Sequence, residues 1–331
     1  MHISAPPRAG SGALEAAHAL LSSFIACGLR HLVLAPGSRS APLAYAASAL
    51  AERISTAFEV HVRHDERSAA FTALGLSRAG ELAAVGTTSG TATAHLLAAA
   101  MEAHHSGIPL VLLTADRPAE LRGTGANQTT YQAGLFSPFT VLNVDLPAPG
   151  AHEASHTDIR LAVDTAARVA HAALESPGPV HLNLGFRDPL AATWATVERV
   201  EEVLRIPEHT ASADRAGVPL RDLPARTVVV AGDGYDSGRR AAALATRLGL
   251  PLFAEPSSNA RTRADVLVPM YPEAIMHVMG TEAHELRPRT VIVVGHPTLS
   301  RPVMRQLLGA SDIEVILESS RLEWPDAPRN A

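Results

Sequence analysis

Short apolar runs alternate with helical patterns along most of this 331-residue chain, and that rhythm restricts the fold more than any other feature. In the first half, runs at 31–36, 59–64, 83–87, 109–115, 139–145 and 179–185 have the length of buried strands. Residues 13–28, 41–53, 66–79, 91–105 and 153–174 lie between them and read as helices. Repeated β-α-β spacing with short strands implies a parallel sheet with helices on both faces. Residues 187–224 lose the rhythm and carry Pro189, Pro207, Pro219 and Pro224, so they read as a connector with room for one short helix. The runs TVVVAG (227–232), PLFAE (251–255), VLVP (266–269), VIVVG (291–295) and EVILE (314–318) then restart it. The expected fold class is therefore α/β, with two doubly wound parallel-sheet domains. The first spans 1–186, a linker spans 187–224, and a smaller domain spans 225–331.

Composition removes several classes of function. The net charge of −5 offers no polyanion-binding signature, so no nucleic acid partner is expected. Cys27 is the single cysteine, which excludes an internal disulfide framework and cysteine-based zinc sites. It sits in an apolar helical pattern and reads as a buried, inert thiol. Residues 16–29 follow Arg8 and faintly resemble a signal peptide, but an amphipathic helix feeding the strand at 31–36 explains them better. Residues 82–101 lack Asp, Glu, Lys and Arg, yet they break at SGT, as a strand, a turn and a helix would. No membrane insertion is expected, and a cytoplasmic location is inferred.

Four post-strand segments carry the chemistry: PGSRSAPL (36–43), HVRHDERSAA (61–70), TTSGTATAHL (87–96) and DRPAELRGTGANQ (116–128). In a parallel sheet such loops gather along one edge, where ligands bind. Glu66 opens a helix behind Asp65, a plausible N-cap; it is either a carboxylate complementing the helix dipole or a buried acid with a raised pKa. Arg39, Arg117 and Arg122 are either solvated loop arginines or forks for a substrate with more than one carboxylate. Ser38 or Ser40 can cap the helix that follows PGSRS, and its free N–H groups suit an anion. Asn127 and Gln128 are turn residues or neutral groups that orient a hydroxyl or carbonyl. Gly90 either makes a tight turn or lets the backbone approach a ligand.

The sixteen histidines invite a metal. However, His61 and His64 point to opposite faces of a strand, and His104 and His105 are adjacent on a helix, so no metal site is assigned. GDGYDSG (232–238), with Glu255 about twenty residues on, partly matches a dinucleotide fingerprint. It also mimics the GDG…NN signature of thiamine-diphosphate enzymes, but only Asn259 stands where the pair should be. A structural βα turn is the preferred reading.

Taken in order, PGSRSAPL, HDERSAAF, TTSGTATAHL, LLTADRPAEL, GANQ and GPVHLNL resemble the N-terminal part of the 2-succinyl-5-enolpyruvyl-6-hydroxy-3-cyclohexene-1-carboxylate synthase family. AEPSSNAR (254–261) and GHPTLSRPV (295–303) resemble that family's central domain. The resemblance implies a transferase of menaquinone biosynthesis that uses thiamine diphosphate with Mg2+ or Mn2+. It decarboxylates 2-oxoglutarate and adds the resulting unit to isochorismate. It implies that 1–186 is a pyrimidine-binding domain and 225–331 a central domain. The diphosphate-binding domain, which would hold the metal and diphosphate, is absent, so this chain is expected to be inactive by itself. Glu66 would share a proton with the cofactor's aminopyrimidine ring, with Thr88 and Gly90 also at the cofactor. Ser38, Arg39, Arg117, Asn127 and Gln128 would line the substrate pocket, and Arg301 would be a candidate anion or regulatory residue. A homodimer or homotetramer is expected. Gly185 replaces the family's more usual proline. Two rival readings stay open: a non-catalytic protein that binds an anionic metabolite, and a nucleotide-dependent oxidoreductase.

Overall fold

The structure is a computed structural model and describes residues 2–53, 57–191, 203–205, 223–262, 269–270 and 285–318. The chain divides into two compact units, Met1–Ala211 and Ser212–Ala331.

The first unit is built on six strands: β2 (His31–Leu34), β3 (Glu59–Val62), β4 (Ala83–Thr87), β5 (Leu110–Asp116), β6 (Leu142–Leu146) and β7 (Pro179–Gly185). All neighbours run parallel, in the order β3-β2-β4-β5-β7-β6. β4, β5 and β7 are buried along their whole length, as central strands covered on both faces require. Helices α1 (Gly12–Ala26), α2 (Ala41–Arg53) and α5 (His156–Glu175) share a core with Leu32, Leu34, Val111, Leu113, Leu182 and Leu184. Helices α3 (Glu66–Arg78) and α4 (Leu97–Ser106) pack on strands β2, β4 and β5. In α5 the buried set Ile159, Ala162, Val163, Ala166, Val169, Ala170 and Ala173 follows helical spacing. Its start is fixed by a capping box: Ser155 accepts from Asp158 N at 3.1 Å, and Asp158 accepts from Ser155 N at 2.9 Å.

The second unit carries five parallel strands in the order β11-β10-β9-β12-β13. They are β9 (Thr227–Ala231), β10 (Leu252–Ala254), β11 (Pro269–Met270), β12 (Thr290–Val294) and β13 (Glu314–Glu318). Val228 and Val230 face one core with Leu307 and Leu308, while Val229 and Ala231 face another with Ala241 and Ala245 of α6 (Ser237–Leu248). That alternation puts apolar residues on both faces of one strand. Both units are thus parallel α/β sheets flanked by helices.

Three details differ from the sequence reading. Residues 91–105 are not one α-helix, because Gly90–Leu96 forms a 3-10 segment ahead of α4. There the Thr93 hydroxyl donates to the Gly90 carbonyl at 2.8 Å, offering that carbonyl a side-chain partner. Val203–Arg205, within the expected connector, is a strand (β8) paired antiparallel with β1 (His2–Ser4). Three-residue strands carry too little periodicity to be read from sequence. Apart from 203–205, residues 192–222 lie outside the described residues, as do most of the run at 266–269 and the C-terminal segment WPDAPRNA. Among the described residues, no helix is long and apolar enough to cross a membrane.

Candidate active site

Chain order reverses at β2: β3 lies on one side of it and β4 on the other. At such a switch point the loops after the two strands leave in opposite directions and open a crevice at the carboxyl ends. The loop after β2 carries Gly37, Ser38 and Arg39, and the loop after β4 carries Thr88, Ser89 and Gly90. These loops touch. A Cβ on Gly37 would lie 2.4 Å from Thr88 Cβ, so only glycine permits the approach. Gly90 has φ +84°, and a Cβ there would lie 2.7 Å from Gln128 Cγ. The loop after β5 is therefore folded down onto Gly90.

Arg117 holds that fold. Its Nη1 donates to Ser89 Oγ and to the Gln128 carbonyl, both at 2.7 Å. Gln128 adopts φ +58° and returns its amide Nε2 to the Ser89 carbonyl at 2.8 Å. Burial, and next the like charge of Arg39, push the Arg117 guanidinium below its ordinary pKa. Both protein partners of Arg117 Nη1 are neutral. Arg39 reaches across the strand ends to the Phe186 carbonyl at 2.9 Å and to exposed Asp188 at 3.3 Å. The structure therefore brings Arg39, Arg117, Thr88, Gly90 and Gln128 together. Ser38 is exposed on the rim, and so is Asn127, whose side chain makes no hydrogen bond among the described residues.

Two expectations change here. Neither Ser38 nor Ser40 caps the next helix, because 38–40 form a 3-10 turn and Ser40 Oγ donates back to the Gly37 carbonyl at 3.0 Å. Arg122 does not pair with Arg117 as a second substrate fork. Its guanidinium is engaged by Asp116 at 3.0 Å and Asp145 at 2.6 Å.

Beneath the arginines lies a buried polar network that sequence reasoning did not identify. Gln132 accepts from Gly90 N at 2.8 Å and donates to Asn183 Oδ1 at 3.0 Å. Asn183 donates to Asp116 at 2.9 Å and to Asp145 at 2.8 Å. Thr114 gives its one hydroxyl proton to Asn183 Oδ1, so His181, 2.8 Å away through Nε2, is the donor to Thr114. His181 therefore carries a proton on Nε2, its Nδ1 lies 3.2 Å from Asn143 Oδ1, and burial lowers its pKa to about 4. A signal was available: His181 and Asn183 are polar residues two apart within the apolar run PVHLNLG, hence on one face of a buried strand.

Glu66 stands apart from this cluster. Asp65 is the N-cap of α3 and accepts from Ser68 N at 2.6 Å, which leaves Glu66 at the first helical position. Glu66 is half-buried rather than buried, and it has no ion-pair or hydrogen-bond partner among the described residues. The charges that act on Arg117 are Arg39, Asp116 and Asp188, and Glu66 is not among them. A carboxylate without a protein partner, on the loop edge of the sheet, has the chemistry to exchange a proton with a ring nitrogen of a heterocyclic cofactor.

In the second unit GDGYDSG is a packing turn. A Cβ on Gly232 would lie 2.0 Å from Pro297 N, and one on Gly238 2.0 Å from the Ser258 carbonyl oxygen. Both glycines are used for close packing between the protein's own segments. Glu255 accepts from the N–H groups of Thr298, Leu299 and Ser300 at 2.9–3.0 Å, so its carboxylate fixes a loop and is not poised for a ribose. Arg301 follows that loop and is exposed, with no hydrogen bond among the described residues.

Residues 14–135 match the thiamine pyrophosphate enzyme, N-terminal TPP binding domain. This segment is thus similar to the N-terminal domain of thiamine pyrophosphate enzymes, a class with which the parallel α/β fold of the first unit is consistent. The chain is also 46% identical over 312 residues to the 2-succinyl-5-enolpyruvyl-6-hydroxy-3-cyclohexene-1-carboxylate synthase of Kineococcus radiotolerans, an alignment covering 93% of this chain and 55% of that protein. It is 43% identical over 319 residues to the protein of the same name from Leifsonia xyli subsp. xyli, covering 95% and 52%. It is 43% identical over 338 residues to that of Arthrobacter sp., covering 98% and 53%. The chain thus spans about half the length of these relatives.

Proposed function

We propose that this chain supplies two domains of a 2-succinyl-5-enolpyruvyl-6-hydroxy-3-cyclohexene-1-carboxylate synthase acting in menaquinone biosynthesis. These are a pyrimidine-binding domain at 1–186 and a central domain at 225–331, joined by 187–224. The substrates are 2-oxoglutarate and isochorismate, the setting is cytoplasmic, and the assembly is a homodimer or homotetramer. Thiamine diphosphate supplies, when bound, the electron sink for decarboxylating a 2-oxo acid. Mg2+ accompanies its diphosphate, and no residue of this chain is assigned to that ion.

Each residue has a distinct task. Glu66 holds a proton at the pyrimidine ring nitrogen. Thr88 and Gly90 form the close-packed floor that limits how far a cofactor enters. Arg39 and Arg117 bind substrate carboxylates, with fork geometry that a lysine would not reproduce. Ser38, Asn127 and Gln128 orient neutral oxygens, and the folded loops around Gly37 and Gly90 exclude water. Arg301 is a secondary anion contact.

The observation that carries this reading is the bonding of Arg117 Nη1 to neutral partners alone, beside Arg39 at the strand ends. Arg117 sits partly buried beside Arg39, and its Nη1 is bonded to a hydroxyl and a carbonyl. Such a site gains most by admitting an anion. The test is the reaction in the complete assembly, this chain together with a diphosphate-binding domain, with thiamine diphosphate, Mg2+, 2-oxoglutarate and isochorismate. Formation of the succinylated cyclohexene product is expected. Its absence, with cofactor demonstrably bound, would remove the proposal.

A further inference from the structure

The loop edge of the first sheet does not use every cluster of reactive side chains. On β2 and β3, parallel pairing sets His31 beside Glu59 and Val33 beside His61. Residues two apart on a strand share a face, so His31, Glu59 and His61 all project from the same side. His61 Nε2 lies 3.2 Å from His31 Nδ1. Oε2 of Glu59 lies 3.8 Å from His31 Nδ1 and 3.7 Å from His61 Nε2. Among the described residues, this is the one group of three potential metal ligands found close together.

We propose that His31, Glu59 and His61 form a binding site for a divalent transition cation of the zinc class. Three donor atoms define a triangle, and the point equidistant from them lies about 2.1 Å from each. Zinc bonds imidazole nitrogen and carboxylate oxygen at roughly that distance. Two imidazoles with one carboxylate suit zinc, whereas Mg2+ prefers oxygen ligands in an octahedron. The cation has an entry path, because β3 is an edge strand and the Glu59 side chain is 63% exposed. Coordination would clip β3 to β2 just before the turn that leads to Glu66. The edge position gives this clip a purpose, since no residue of β3 is fully buried.

The experiment uses the 331-residue chain, freed of metal and titrated with Zn2+ against a chromophoric chelator. One tight site is expected, insensitive to excess Mg2+. With Co2+ in its place, the strong visible absorption of a low-coordinate site should develop. The double variant H31Q/H61Q should lose that equivalent, whereas H104Q/H105Q, which alters another histidine pair, should keep it. Glu59→Gln changes an exposed side chain and cannot plausibly unfold the unit; it should weaken Zn2+ binding at least about tenfold. Equal stoichiometry and affinity in wild type, H31Q/H61Q and E59Q would overturn the proposal. So would displacement of Zn2+ by Mg2+.

Discussion

Arg117 and Arg122 stand five residues apart on one loop, yet their surroundings give them opposite uses. Arg122 is neutralised by Asp116 and Asp145, while Arg117 Nη1 is bonded to Ser89 and the Gln128 carbonyl. Replacing Arg117 by Ala should therefore lower kcat/KM for isochorismate by about 10–100-fold, the worth of one charged hydrogen bond. Steady-state kinetics with 2-oxoglutarate saturating would show it. Glu66→Gln should slow deuterium exchange at the thiazolium C2 of bound thiamine diphosphate by about 10²–10⁴-fold, the usual scale of a positioned proton donor or acceptor; an unchanged NMR exchange rate would take that role from Glu66. His181 and His18 make a pH prediction. Burial holds both near pKa 4, against an ordinary value of 6.5. Between those values the unfolded chain takes up protons that the fold refuses. Stability is therefore fully present above pH 6.5 and is lost as pH falls toward 4, by roughly 3 kcal/mol for each group. Urea denaturation of His181→Asn across pH 4.5–6.5 should show a shallower loss than wild type. Residue types at the crevice were legible in PGSRS, TTSGT and DRPAEL. Which arginine is compensated was not, because Asp145 arrives from β6, far along the chain.

At the scale of elements, boundaries follow local chemistry where a cap is present. Ser155 and Asp158 start α5 by reciprocal bonds, so Ser155→Ala should lower stability by about 1 kcal/mol while Ser155→Asp largely preserves it; thermal melts of both variants separate capping from other effects. The six strands of the first sheet were readable to within a few residues, and most directly β4, β5 and β7, because buried parallel strands are continuous apolar runs. Residues 91–105 misled because the apolar spacing of an α-helix and that of a 3-10 start are alike over two turns. The meeting of loops was not readable either. Gly90 looked like an ordinary tight turn, yet it is also where Gln128 lands. Gly90→Ala would strain a left-handed backbone and displace the 117–128 loop. Weaker substrate binding, out of proportion to any fall in Tm, is the expected result.

At the scale of the whole molecule, each unit has its own hydrophobic clusters, one set around β2–β7 and another around β9, β10, β12 and β13. Two calorimetric transitions are expected. Leu252→Ala, which empties a fully buried position in the second unit, should lower one of them by about 2–5 kcal/mol and leave the other in place. The alternation of short apolar runs with helical segments was enough to specify two parallel α/β sheets, since period and length are local properties of the chain. Local sequence also supplied the kinds of group at the loop edge. Strand order, the crevice beside β2, the lack of a hydrogen-bond or ion-pair partner for Glu66 among the described residues and the meeting of His31 with His61 were decided only by tertiary structure. Each depends on which strands become neighbours, and hydrogen-bonded neighbours in a doubly wound sheet come from distant parts of the chain.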